Sequence, residues 1–225
     1  MGDTADHRLR GEGGAILVLT ACGLIVLGYV VGSLSPSVFL GRWLKGLDVR
    51  EYGSGNPGTT NAFRVLGRPL GVAVLVLDVL KGLLPVLLAR YVASPLVVVL
   101  VATAALVGHN WSLFLRGRGG KGVATGAGTI LAMMPLTLVA LVAAFLAVLL
   151  GTSYVSLASL TAAILFPVLT IASEQPLPYV LYSLVGAGIV LWAHRGNIHR
   201  LLRGEERKVG PLLRRTPGQG GTPGG

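Results

Sequence analysis

The residues best suited to chemistry lie in three short polar stretches. The first, "EYGSGNPGTTNAFRVLG" from Glu51 to Gly67, sets Gly53, Gly55 and Gly58 among Ser54, Asn56, Thr59, Thr60 and Asn61, and closes on Arg64. Glycines allow backbone conformations in which successive N–H groups point at one spot, a nest for an anion. The hydroxyl and amide side chains add neutral donors, and a guanidinium presents a fixed fork suited to phosphate oxygens. No lysine follows as in a P-loop, and no strand precedes as in a dinucleotide fingerprint. A plain solvated turn has no need of five small polar side chains.

The second stretch, "GHNWSLFLRGRGGKGVATG", beds Lys121 among Gly119, Gly120 and Gly122 immediately before an apolar run. A point charge at a helix start is again a phosphate-reading arrangement. His109 and Trp111 close the preceding apolar run; they are expected to make a structural hydrogen bond and a headgroup-level anchor. In the third stretch, "WAHRGNIHRLLRGEE", His194 and Asn197 stand three apart, so one helical turn puts both on one face. His199 is expected at the surface.

The elements that must position these residues are membrane helices. Of 225 residues, 52% are hydrophobic and only 12% charged, about half the charged share of a soluble domain; mean hydropathy is +0.72. Apolar runs begin near Ala15, Leu70, Pro95, Val123, Tyr154 and Pro178, and several reach the roughly 20 residues needed to cross about 30 Å of hydrocarbon. The first run is too long for a signal-peptide core and is read as a retained span. It holds the single cysteine, Cys22, expected to be a small buried residue facing lipid or core.

Charge sets the topology. Of 19 Lys and Arg, 15 fall in three segments: Arg42 to Arg68, Arg116 to Lys121, and Arg195 to Arg215. The positive-inside rule assigns all three to the cytoplasmic side, with anionic lipid as a further attraction for the last. An even number of crossings must then separate Lys121 from Arg195. Val123 to Leu150 satisfies this as two helices hinged at Met134–Pro135. The fold class expected is thus an all-α polytopic membrane protein with seven spans, some short, the N-terminus outside and the C-terminus cytoplasmic. The domain plan is a polar extension over 1–14, expected to be disordered, one membrane domain over 15–206, and a disordered Gly/Pro-rich basic tail over 207–225. Asp78 and Lys81, three apart inside the second span, form either a structural ion pair or part of a polar site.

The nine acidic residues show no metal-ligand spacing near these loops, so no metal or other cofactor is expected. No Ser-His-Asp set is evident. Two phosphates held by cations and backbone fit the pattern best; a transporter of a phosphorylated metabolite is the alternative.

Together, "GSGNPGTTNAFRVLG", "LDVLKG", "GHNWSLFLRGRGGKGVATG" and "HRGNIHRLLRGEE" resemble, in order, the motifs of the bacterial acyl-phosphate:glycerol-3-phosphate acyltransferases. The likeness runs from about Leu34 to Glu206. Thr59 departs from it, since the family usually has alanine there. The resemblance implies seven helices and a site open to the cytoplasmic leaflet. It also implies acyl transfer from long-chain acyl phosphate to position 1 of glycerol 3-phosphate in phospholipid biosynthesis, without an acyl-enzyme. It involves membrane lipid and no nucleic acid. On this reading Ser54, Gly55, Asn56, Gly58, Thr60 and Asn61 hold one phosphate, and Arg64, Gly120 and Lys121 hold the other or bridge the two. His194, Asn197 and Ser54 then act at the reacting groups.

Overall fold

The computed structural model describes the backbone of residues 3–209 and the side chains of residues 14–209, and the described chain is helical with no strand. Ten α-helices follow one another: α1 Asp3–Ser33, α2 Pro36–Lys45, α3 Thr59–Val65, α4 Arg68–Val92, α5 Pro95–Asn110, α6 Val123–Met133, α7 Pro135–Thr152, α8 Val155–Ala172, α9 Leu177–Ala193 and α10 Arg195–Leu202. Five of them (α2, α4, α5, α7 and α9) carry proline in the first two positions. There its missing N–H costs nothing and its fixed φ suits the helix.

Among the described residues five helices are long and apolar enough to cross a membrane, or six if α9 and α10, bent by 59° at His194, form one span. The expected seventh is α6. Its 11 residues reach only about 16 Å at helical rise, roughly half the hydrocarbon thickness, so length and composition pick out five or six spans and do not confirm the seventh. The hinge is where the sequence places it: α6 and α7 meet at Met134 (φ −140°, ψ 67°), ahead of Pro135. The polar leader, expected to be disordered, is helical from Asp3 on and forms the first turns of α1. Cys22 is exposed on that helix.

Small residues let the bundle close. Gly32 lies against the Ala105 backbone and Gly108 against that of Tyr29, which locks α1 onto α5. Gly82 abuts the Thr125 carbonyl and Gly128 the Val79 carbonyl, which does the same for α4 and α6. Close backbone approach through small residues is how helices associate where lipid offers no hydrophobic drive. The apolar centre holds Val86, Val101, Ala102, Met133 and Phe166, while Leu17, Tyr91, Leu136 and Leu150 face outward. All three polar stretches gather at one end of this bundle, around a shared cavity.

The tail boundary moves. Residues 207–209 were expected to be disordered, yet the Arg207 guanidinium donates to the Gly53 carbonyl at 3.2 Å and the Val209 N–H to the Ser153 carbonyl at 2.9 Å. The rest of the expected tail, from 210 on, lies outside the described residues.

Candidate active site

A cavity of about 1150 Å³ joins a polar mouth to an apolar groove. Ser54, Asn56, Gly58, Thr60, Arg64, Lys121, His194 and Asn197 line the mouth, all of them expected from sequence. Beyond it Val72, Leu75, Leu138, Phe145, Phe166 and Val190 continue the wall between α4, α6, α7, α8 and α9. A phosphate suits the first part and an alkyl chain the second.

The first loop is built from both ends. Asp48 accepts from the Arg50 backbone N–H at 3.0 Å and pairs with the Arg50 and Arg42 guanidinium groups at 2.6 and 2.9 Å. The Arg50 side chain holds the Asp48 carboxyl well below the usual carboxylate range, outweighing its partial burial. Gly53 and Gly55 then take φ of 64° and 70°, the left-handed conformation that a nest requires. Gly58 is there for a different reason than expected. Its φ of −114° is open to any residue, but a Cβ would meet Asn56 Oδ1 at 2.8 Å.

Asn61 also differs from its expected role. Its Oδ1 accepts the Ser54 N–H at 2.9 Å, and its Nδ2 donates to the Val49 and Tyr52 carbonyls at 2.8 and 3.1 Å. Both polar atoms are spent on the loop, so Asn61 shapes the nest rather than serving as its donor. Thr59, the departure from the family pattern, donates its hydroxyl to Asp78 Oδ2 at 3.1 Å. The added group therefore has a partner. Gly55 lines a neighbouring polar hollow with Ser54 and Asn56 instead of the main cavity.

The second loop is stapled to the end of α5. Gly119 N–H donates to the Asn110 carbonyl and Gly120 N–H to the His109 carbonyl, each at 3.0 Å. Gly120 rests on the His109 ring with no room for a Cβ, and so positions Lys121 without lining the cavity itself. His109 meets its structural expectation through Thr125 Oγ1 at 3.0 Å. Trp111 stacks on Trp192 with ring centroids 5.0 Å apart, tying the second stretch to the third.

Lys121 Nζ donates to Asn197 Oδ1. Partial burial lowers the Lys121 pKa to about 8; the Glu206 charge works against this, and Arg200 and Arg64 work with it. Arg64 is likewise depressed, first by burial and then by Arg207, Glu206 opposing, but a guanidinium stays charged in any ordinary buffer. His194, buried just beyond the end of α9, has Nδ1 2.8 Å from the Val190 carbonyl. A carbonyl only accepts, so Nδ1 carries the proton and Nε2 is left as an acceptor. Burial and then the Lys121 charge lower the His194 pKa to about 4, so the ring is neutral at physiological pH.

The sequence reading missed three contributors. Glu206, the last residue of the expected membrane domain and given no role there, accepts from Asn197 Nδ2 at 2.6 Å and from Arg200 Nε at 2.8 Å. It gets there because Gly204, at φ 70°, turns the chain back after α10, with Glu205 N–H on the Arg200 carbonyl at 2.8 Å. A left-handed glycine past a helix end is the one local signal for such a return. Arg200 and Arg207, read as topology charges, both line the cavity. Arg64, Arg68, Lys121, Arg195, Arg200 and Arg207 thus line one cavity, with the Glu206 carboxylate holding Arg200 and Asn197.

The comparisons with known proteins agree with this geometry. The sequence profile described as glycerol-3-phosphate acyltransferase matches residues 22–204. A glycerol-3-phosphate acyltransferase of Rubrobacter xylanophilus is 50% identical over 83% of this chain and 94% of its own length. Glycerol-3-phosphate acyltransferase 2 of Moorella thermoacetica is 47% identical over 83% and 96%. Among solved structures, the integral membrane glycerol 3-phosphate acyltransferase PlsY (YgiH) in its glycerol 3-phosphate form superposes with a TM-score of 0.83 at 34% identity, covering 87% of this chain and 100% of that one. Its lysophosphatidic acid form gives 0.82. With the profile spanning most of the chain and relatives this similar along nearly their whole length, the chain belongs to the glycerol-3-phosphate acyltransferase family of integral membrane enzymes.

Proposed function

We propose that this enzyme transfers a fatty acyl group from acyl phosphate to the 1-hydroxyl of glycerol 3-phosphate, yielding lysophosphatidic acid and inorganic phosphate for phospholipid synthesis. The observation that carries the reading is the continuity of one cavity, cationic at its mouth and apolar along α4, α7, α8 and α9. A reaction between a lipid-tailed phosphate and a small polar phosphate needs that combination.

Acyl phosphate is a mixed anhydride with a good leaving group already in place. The protein's task is to hold two phosphates and aim one hydroxyl, which is catalysis by proximity and electrostatics. The Ser54–Thr60 nest holds the donor phosphate. Arg64 and Lys121 hold glycerol 3-phosphate, and Arg200 and Arg207 add to the field. His194 Nε2 accepts the hydrogen bond of the attacking hydroxyl and aims it. As an acceptor it cannot donate to an oxyanion, and with a pKa of about 4 it is a weak base. The hydroxyl oxygen attacks the acyl carbon, the bond from that carbon to the phosphate oxygen breaks, and the hydroxyl proton passes to the departing phosphate. Asn197 keeps Lys121 in place through its carbonyl and is itself fixed by Glu206.

By the charge asymmetry of the loops the mouth faces the cytoplasm, with the N-terminus outside and the acyl chain leaving sideways into lipid. The transporter alternative finds no support among the relatives. Radiolabelled glycerol 3-phosphate given to proteoliposomes with acyl phosphate tests the reading. Lipid-extractable label is expected; label accumulating unchanged inside the vesicles would contradict it.

A further inference from the structure

Asp78 and Lys81 are 1% and 6% exposed, in the middle of α4. They pair at 2.9 Å. Replacing such a buried pair by apolar residues is often neutral or stabilising, so stability by itself is a poor account of these charges. Their contacts offer a better one. Lys81 Nζ donates to the Leu34 carbonyl at 2.5 Å, in the turn between α1 and α2. Asp78 Oδ2 accepts the Thr59 hydroxyl at 3.1 Å, where the first loop enters α3. Asp78 Oδ1 lies 3.8 Å from His109 Nδ1, and the His109 ring is the surface on which Gly120 rests, one residue before Lys121. Thr125, the hydrogen-bond partner of that ring, is fixed to α4 by the contact of its carbonyl with Gly82.

We infer that the Asp78–Lys81 pair is a positioning device that sets the spacing between the two phosphate-holding loops, acting on the first through Thr59 and on the second through His109. The inference rests on the proposed reaction, in which the nest of the first loop holds the donor phosphate and Lys121 of the second loop, with Arg64, holds glycerol 3-phosphate. One turn of α4 reaches both loops and the α1–α2 turn, and no other ion pair among the described residues connects them. A carboxylate can take a hydroxyl on one oxygen while holding a cation on the other, and an apolar side chain can do neither. Asp78 lies on the cavity wall with Thr59 and His109, but the polar contacts of the pair run to Thr59, Leu34 and His109 and to no atom of the nest or of Lys121, so its action on the two loops is geometric.

The test measures KM for each substrate, and calorimetric Kd for glycerol 3-phosphate, in purified wild type and three variants. Asp78→Asn/Lys81→Met removes both charges with little change of volume. Thr59→Val deletes the first arm's hydroxyl, and Thr59→Ser keeps it. In the double variant both KM values should rise about tenfold, the effect of about 1.4 kcal/mol, while its melting temperature stays near that of wild type. Thr59→Val should raise the donor KM by about three- to tenfold and spare the Kd for glycerol 3-phosphate, with Thr59→Ser restoring the donor KM. A merely structural role lowers Vmax through lost active protein and leaves KM alone. Wild-type KM values in a folded double variant, or a Thr59→Val variant altered only in Vmax, would overturn the inference. If the double variant does not fold, the two Thr59 variants decide. A wild-type enzyme that binds glycerol 3-phosphate but never acylates it defeats the reaction instead, and the Kd of the double variant still decides the positioning.

Discussion

The ammonium of Lys121 is the side chain through which pH should most visibly control substrate binding. Its pKa of about 8 reflects partial burial, opposed by Glu206. At pH 7 about nine in ten molecules carry the charge, and at pH 9 about one in ten, by ordinary titration about that value. If only the charged form holds phosphate, the Kd for glycerol 3-phosphate should rise about tenfold from pH 7 to pH 9. The ligand does not confound this, because a phosphate monoester with a second pKa near 6 is already largely a dianion throughout. Nor does unfolding. A lysine whose folded pKa lies below its unfolded value binds fewer protons folded than unfolded between the two, so its contribution to stability rises with pH in that window. Binding should weaken while the empty protein holds. Calorimetry with glycerol 3-phosphate alone, at pH 7, 8 and 9, avoids hydrolysis of the donor. Lys121→Arg, which stays charged, should flatten the profile whatever its absolute affinity. A flat wild-type profile, or an equal slope in Lys121→Arg, would refute the reasoning.

Other substitutions separate the parts of the site. Arg64→Lys keeps the charge but loses the bidentate fork, and should raise the KM of the phosphate it holds about tenfold with little loss of kcat. His194→Ala should lower kcat by roughly two orders of magnitude, a value in the range for a positioned polar group, while the protein remains folded in detergent. Glu206→Gln removes the carboxylate that supports the Lys121 charge; the rise of KM with pH should then begin at a lower pH than in wild type.

Much of this site is legible in the sequence because its chemistry is local. Two glycine-bedded cation loops, a His–Asn pair three apart and the Asp78–Lys81 pair are each readable within a few residues. The break ahead of Pro135 is readable too, since proline stops one helix and starts the next. What the sequence hides is where side chains spend their hydrogen bonds. Asn61 reads as a ligand donor, yet three backbone groups of its own loop claim it. Glu206 reads as the far end of the membrane domain with no role, and only the left-handed turn at Gly204 brings it to Asn197. Arg200 and Arg207 read as topology charges because positive-inside bias and substrate binding call for the same residues on the same side. The span count is hidden for a related reason: an 11-residue apolar helix such as α6 is packed by its neighbours and need not match the bilayer by itself.

The claim at the centre is a site built for two phosphates, and choice of donor tests it most directly. Purified protein is given glycerol 3-phosphate with either acyl phosphate or the acyl-CoA of the same chain, and lysophosphatidic acid and inorganic phosphate are both quantified. Product is expected from acyl phosphate alone, with one phosphate released for each lysophosphatidic acid formed. Comparable turnover with acyl-CoA would contradict it, because a thioester brings no phosphate at its reacting carbon for the nest to hold.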